Sequence, residues 1–518
     1  MHRAHRHLRI LHIQLMPAAR RRAFNEAVSL APAEDQIAAP ISGSRGITRR
    51  QALAAAVATG VGVGVVRLLG GSMQQIAAPH AATSTDWISP LGSESARVMQ
   101  LLRRTTFGYT QPQLEAALSD GFNKTVDRLL ETKPAEPPVL AAASTPGGLF
   151  AVNLLQQWWI DHMLASATPF AERMTLFLHG HFTSDYRKVA DDTFMYWQNL
   201  TWRRMALTNL RSMLMAVTTD PAMLRYLDLA TSTGQSPNEN YSRELMELFT
   251  MGAGNYTEDD VRESAKALAG WTVPQPDSYA TVVVDKATNV TRRLPVYSSQ
   301  KTGVFNARRA YKGSVTYLGR SGQIDTQGVI DQILAQPATA VLIASKVAQH
   351  FVTARPATTY VNGLADTFRR SKYDMKTLMR AVLTSPEFVA DQGYRSLVKS
   401  PIEVMVHAAR ALGTTSPSTS KLIAGAGSGM GQSVFDPPDV NGWPNNESWI
   451  SSNTVVERVN YVTGALAQVK GQLPPSSDAI HQHLDGVLSP QTASLLNQAA
   501  DERGRWFIAL ASPEFQLK

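Results

Sequence analysis

Asn238-Glu-Asn-Tyr-Ser-Arg-Glu-Leu-Met-Glu-Leu-Phe-Thr-Met-Gly252 reads as one capped amphipathic helix. Asn238 is suited to cap Glu239–Met251, because its side-chain oxygen can accept a first-turn N–H that has no partner inside the helix. Gly252 is suited to end the helix, since glycine enters the left-handed region without a Cβ clash. Tyr241, Leu245, Leu248 and Phe249 make an apolar stripe, and Asn240, Arg243, Glu244 and Glu247 make a polar face.

The same period extends outward in both directions. Leu149–Ser166 carries Val152, Leu155, Trp159 and Met163 at helical spacing. Thr168-Pro169 then offers an N-cap and a Pro at the first helical position, opening a helix through Phe170, Met174 and Phe177. Thr257 with Asp260 resembles a capping box for a helix running to Gly270. Further helices are expected at 326–335, 338–352, 374–384, 400–412 and 490–511. Residues 272–322 depart from the period: Tyr279-Ala-Thr-Val-Val-Val and Ser314-Val-Thr-Tyr-Leu suggest a small hairpin or irregular insertion. Residues 414–450 and 471–478 read as Gly/Ser/Pro-rich connections. Ser385-Pro386-Glu387-Phe388 recurs as Ser512-Pro513-Glu514-Phe515, a reused helix-start device. The expected fold is therefore mainly α: a large multi-helix domain over 93–515, with a small β or irregular insertion around 272–322. Residues 414–518 are a candidate C-terminal subdomain.

The net charge of +8 over 518 residues invites a nucleic-acid reading until it is located. Residues 1–82 hold ten of the 50 Lys/Arg and three of the 42 Asp/Glu, which leaves 40 basic and 39 acidic residues in the rest. A near-neutral body lacks the basic face that phosphate contacts require, so no nucleic-acid partner is expected. With no cysteine, disulfides, thiolate metal sites and a thiol nucleophile are excluded.

The basic excess belongs to a targeting leader. Residues 1–48 are basic, then Ala/Pro-rich, and read as disordered. Thr48-Arg49-Arg50-Gln51-Ala52-Leu53 precedes a weakly apolar, uncharged run, and residues 49–82 are read as a twin-arginine signal segment. The run is too short for a bilayer, which needs about 18–20 apolar residues, so no permanent transmembrane span is expected. The protein is expected to be exported by the twin-arginine machinery to the periplasm or cell surface.

Several segments together resemble the bacterial domain of unknown function 1800 family. They include Leu101-Leu-Arg-Arg-Thr-Thr-Phe-Gly108, Glu172-Arg-Met-Thr-Leu-Phe-Leu-His-Gly-His-Phe182, Asp220-Pro-Ala-Met-Leu-Arg-Tyr-Leu-Asp228 and Asn238–Gly252, with its continuation to Gly270-Trp271. Leu397-Val-Lys-Ser-Pro401 and Phe435-Asp-Pro-Pro-Asp-Val-Asn-Gly-Trp-Pro444 follow in order. The resemblance implies a secreted or envelope protein, with a phosphatase- or sulfatase-like envelope protein as partner. It implies no particular reaction. Where the family commonly shows a His-Asp pair, this chain has Ala310-Tyr311.

Three constellations could carry chemistry. His179-Gly180-His181 is the candidate metal pair: Gly180 could end the helix at His179 and free both rings to chelate one divalent ion, with Asp185 as a third ligand or outer partner. The alternative is a helix-end pair packed on Phe177 and Phe182. Arg243, Glu244 and Glu247 could face a cleft, or could be helix-surface ion pairs worth about 0.2–0.5 kcal/mol each. The stiff Asp436–Pro444 loop could be structural packing or a ligand-pocket wall. Two functions follow: an envelope enzyme performing metal-assisted hydrolysis with catalytic candidates Asp185, Arg243, Glu244 and Glu247, or a non-catalytic surface or assembly protein.

Overall fold

The computed structural model describes residues 87–140, 152–285 and 290–518, all within one compact unit, Arg49–Lys518. The leader and the Arg49-Arg50 segment lie outside the described residues. Among those described, 21 α-helices stand against six short strands, which makes the fold mainly α. The insertion is three separate two-stranded antiparallel sheets: 271–272 with 304–305, and the hairpins 280–285 with 290–295 and 315–317 with 320–322. No single helix among the described residues is long and apolar enough to cross a membrane; one pair bent by 77°, Thr326–Ala335 with Pro337–Phe351, passes together on length and composition.

Most helix starts follow from side-chain caps. Thr257 and Asp260 form both bonds of a capping box ahead of Glu258–Leu268, and Ser400 with Glu403 does the same ahead of Pro401–Ala411. Thr168 precedes Pro169 as expected, but its hydroxyl accepts from the Ala135 N–H instead of capping its own helix. Both Ser-Pro-Glu-Phe copies bond the serine Oγ to the phenylalanine N–H. The second opens the helix Pro513–Gln516, whereas the first closes only a turn.

Helix ends depart further from expectation. The Asn238 helix is shorter, spanning Asn240–Glu247, with Gly252 at φ +82° closing the turns that follow. Its last carbonyls have tertiary partners: Leu248 O accepts from Lys346, and Phe249 O is bonded to His181. The expected helix 490–511 is two, Pro490–Gln498 and Glu502–Ala511, because Asp501 caps a second start through the Gly504 N–H. Within 414–450 lies a helix, Pro417–Gly429, whose high Gly and Ser content disguised it. It packs against the helices Val152–Ala165 and Ser452–Gln468.

The described residues hold one large core, with Trp159, Trp197, Trp202 and Trp506 fully buried, and a smaller second cluster around Val98, Leu102 and Tyr109. Long-range polar bonds tie the C-terminal hundred residues into it. Arg103 is bound by Asp485 at 2.6 Å, both buried, and Tyr109 exchanges two hydrogen bonds with Gln482.

Candidate functional site

A polar cavity of about 150 Å³ opens where the C-terminus of the Pro169–His181 helix meets the Pro337–Phe351 helix, the start of the Pro401–Ala411 helix and the 441–449 loop. One water needs only ~10–15 Å³, so the space suits a small polar molecule. Lys346, His350, His181, Glu403 and Lys518 line it, and Phe177, Trp443 and Trp449 supply aromatic walls.

Glu403 anchors one side. Its carboxylate bonds Arg173, Lys518 Nζ at 2.5 Å and the Ser400 N–H at 2.7 Å. Burial alone would raise its pKa, but Arg173 and Lys518 hold it well below the usual carboxylate range. With Arg173 permanently charged beside the same carboxylate, Lys518 gives way: burial, then Arg173, bring its ammonium down to about 7. His350 Nε2 lies 3.3 Å from Arg173 Nη2. A guanidinium can only donate, so His350 accepts at Nε2 and carries its proton on Nδ1. Burial, followed by the nearby Lys518 and Arg173 charges, holds this imidazole neutral.

Lys346 anchors the other side. Its ammonium donates to Leu248 O at 3.0 Å and to His181 Nδ1 at 3.2 Å. His181 Nε2 therefore carries the proton and donates to Phe249 O at 3.1 Å. Among the described residues no carboxylate pairs with Lys346. Burial lowers its pKa to about 8, close enough to neutral pH for the amine to serve as acid or base.

The loop wall depends on Gly442. Gly442 has φ +83°, and a Cβ there would sit 2.2 Å from Gly180 O, so only glycine allows the loop to cross the helix end this closely. Gly180 faces the Trp443 ring at 3.6 Å from its own would-be Cβ. Trp443 is 8% exposed, and its indole N–H has no hydrogen-bond partner among the described residues.

The structure corrects the reading of Gly180. The helix continues through it to His181, and Gly180 does not turn the chain. On a continuous helix the two rings point roughly 200° apart. His179 Nε2 accepts the Phe435 N–H at 3.1 Å among Trp159, Phe435 and Trp443, while both nitrogens of His181 are engaged as described. This donor set does not fit one shared ion, and among the described residues no group of three His, Asp or Glu is arranged to hold a metal.

The other singled-out residues do not line the cavity. Asp185 caps the short helix Tyr186–Val189 and shares Arg187 with Asp436, which ties the loop down. Arg243 pairs with Glu258 at 2.6 Å and with Glu239 at 3.4 Å. Glu247 accepts from Tyr256 OH. Glu244 is half-buried, and burial, then Glu247, raises its pKa. Ala310-Tyr311 packs its backbone against Gly234, away from the cavity lining. The Asn441–Pro444 part of the stiff loop does line the cavity. A larger, more apolar cavity of about 460 Å³ lies between Leu102, Phe170 and Leu207, but its arginines are paired off: Arg203 with Glu172, Arg204 with Glu136, Arg128 with Asp120.

Lys346, His350, Glu403 and Lys518 were not singled out from the sequence. Lys346 and His350, four residues apart and the ionisable side chains of the 338–352 segment, were the legible signal.

A mainly α chain of this kind defines a helical domain built around a polar cavity. Residues 100–517 match the family described as Protein of unknown function (DUF1800), and the chain belongs to that family. No curated protein and no solved structure matches it.

Proposed function

We propose that this is an exported envelope protein that binds a small polar ligand in the Lys346–Glu403 cavity, with Lys346 positioned for proton transfer to or from it. One observation carries the reading: three segments distant in sequence that bear the family resemblance, around His181, Ser400 and Trp443, meet at this one cavity. A buried amine near its titration point, beside two neutral imidazoles, suits acid–base work more than structural support. Export rests on the Arg49-Arg50 leader. Hydrolysis assisted by a metal on His179 and His181 has no support in the ring positions.

The test is a ligand-observed NMR screen of small neutral and anionic metabolites against the wild type and Asn445→Trp. Asn445 is exposed at the cavity rim, so the indole would plug the mouth without entering the core. At least one compound should show saturation transfer from the wild type and none from the plugged variant. Binding that survives the plug, or no binding to the wild type at all, would refute the cavity as the site.

A second reading, a surface or assembly protein working with a phosphatase- or sulfatase-like neighbour, is favoured by one fact. Arg243, Glu247 and Asp185 are all satisfied by partners within the fold. A polar face spent in this way holds structure together.

A further inference from the structure

Resting on the cavity reading above, we propose that the ligand is, or carries, a compact oxyanion (a phosphate, sulfate or carboxylate group), held by Lys346 and Lys518 with the Trp443 indole N–H as a further donor. The argument is an inventory of donors and acceptors. Lys346 has three N–H donors and spends two, on Leu248 O and His181 Nδ1, leaving one N–H and a full charge unmatched. Lys518 spends one on Glu403 and has two more. His350 keeps its proton on Nδ1, because Arg173 occupies Nε2. Trp443 carries an N–H with no partner among the described residues.

The carboxylate and imidazole acceptors are already taken, and the acceptors that remain in the lining are the neutral amide oxygens of Gln349, Asn441, Asn445 and Asn446. Glu403, the cavity's carboxylate, is bonded to Arg173, Lys518 and the Ser400 N–H. Gln432 Oε1 accepts from the Ile402 N–H, and His181 Nδ1 accepts from Lys346. Cationic donors with no spare carboxylate to match them favour an anionic ligand made of acceptors, to which the neutral amides can turn their N–H groups. The charges agree. The groups facing Lys346 and the cavity from each packed element are His181 on one helix, His350 on its own helix, Arg173, Glu403 and Lys518. Two neutral rings and the Glu403 carboxylate stand against Arg173 and Lys346, with Lys518 near its titration point, so the balance is positive and a bound anion completes it. A neutral sugar would leave Lys346 buried and unmatched, which is costly. Charge-assisted bonds to an oxyanion also gain most in a partly buried site, where water competes less.

The experiment is isothermal titration of the full chain at pH 7 with three separate probes, inorganic phosphate, inorganic sulfate and acetate, at constant ionic strength. At least one should saturate at millimolar concentration or below and raise the melting temperature. Lys346→Gln should weaken it at least tenfold, Lys346→Arg should keep measurable binding, and Trp443→Phe should weaken it severalfold while keeping the ring. Circular dichroism of each variant separates lost binding from lost fold; if Lys346→Gln does not fold, the Trp443→Phe and Lys346→Arg results decide. Preference for phosphate or sulfate over acetate would assign a tetrahedral anion, and the reverse order a carboxylate. No saturation by any probe, or equal affinity in Lys346→Gln and Trp443→Phe, overturns the proposal. A neutral ligand that binds the wild type and is blocked by Asn445→Trp would overturn the anion alone and leave the cavity reading standing.

Discussion

At the scale of single residues, Glu403, which is fully buried, and Lys346, which is partly buried, show two ways of keeping a charge from water. Glu403 is buried but surrounded by partners, so removing its charge strands Arg173 and Lys518 in the interior. Breaking a buried pair from one side costs about 3–5 kcal/mol, so Glu403→Gln should lower stability by about that much in urea unfolding at pH 7. The sign with pH follows. Its folded pKa is depressed, so its contribution is fully present above the unfolded value of 4.5 and is lost progressively as the pH falls below it. Lys346 is the reverse case. Its substitution by Gln loses two hydrogen bonds but also relieves an unmatched buried charge. These effects oppose each other at about 1 kcal/mol per bond, so Lys346→Gln should unfold within about 1 kcal/mol of the wild type. A loss as large as that of Glu403→Gln would make Lys346 a structural residue. Reading this contrast from sequence was not feasible, because Lys346 acquires its partners, and Glu403 its cations, across more than ninety positions of chain.

At the scale of elements, several helix starts were legible and helix ends were not. Starts are set by local chemistry: Thr257-Asp260 and Ser400-Pro401 cap within three residues of themselves, whereas the starts at Glu502 and Pro417 fell inside segments read as one continuous helix and as a connection. Ends are set by whatever takes the last carbonyls, and at Leu248 and Phe249 those partners are Lys346 and His181. The same reasoning explains Gly180, read from sequence as a helix stop and found inside the helix. Substitution separates the two accounts. As a stop in the left-handed region, Gly180 would resist alanine; inside a helix with a 3.6 Å clearance, Gly180→Ala should be neutral or stabilise by up to about 1 kcal/mol. Gly442→Ala should instead cost about 2–4 kcal/mol, adding the positive-φ strain to the clash with Gly180 O, and should disturb the tryptophan fluorescence of the cavity wall. Thermal unfolding of the two alanine variants side by side is the check, and a destabilised Gly180→Ala would restore the helix-stop account.

At the scale of the whole molecule, the class of fold was legible because a 3.6-residue period pervades the chain, and the family because its segments recur in order. The cavity was not, since it is assembled by tertiary contacts among residues 176 to 518. The near balance of 40 basic and 39 acidic residues beyond position 82 places the positive excess in the leader. If that leader is read as a twin-arginine signal, Arg49→Lys with Arg50→Lys should keep the protein in the cytoplasm, because a receptor reads the pair and not its charge. Fractionation of cells carrying each form is the check, and normal export of the double variant would remove the signal. The central claim, that Lys346 receives an anion in the cavity, is tested most directly by titrating sulfate, which does not itself titrate near neutrality, in two buffers of different ionisation enthalpy at pH 8. With Lys346 near half protonation there, binding should draw roughly half a proton or more per sulfate onto the protein. Affinity should then fall as pH rises from 7 to 10, and Lys346→Gln should reduce the uptake. Sulfate binding with no proton uptake, with pH-independent affinity, or unchanged in Lys346→Gln would contradict the account.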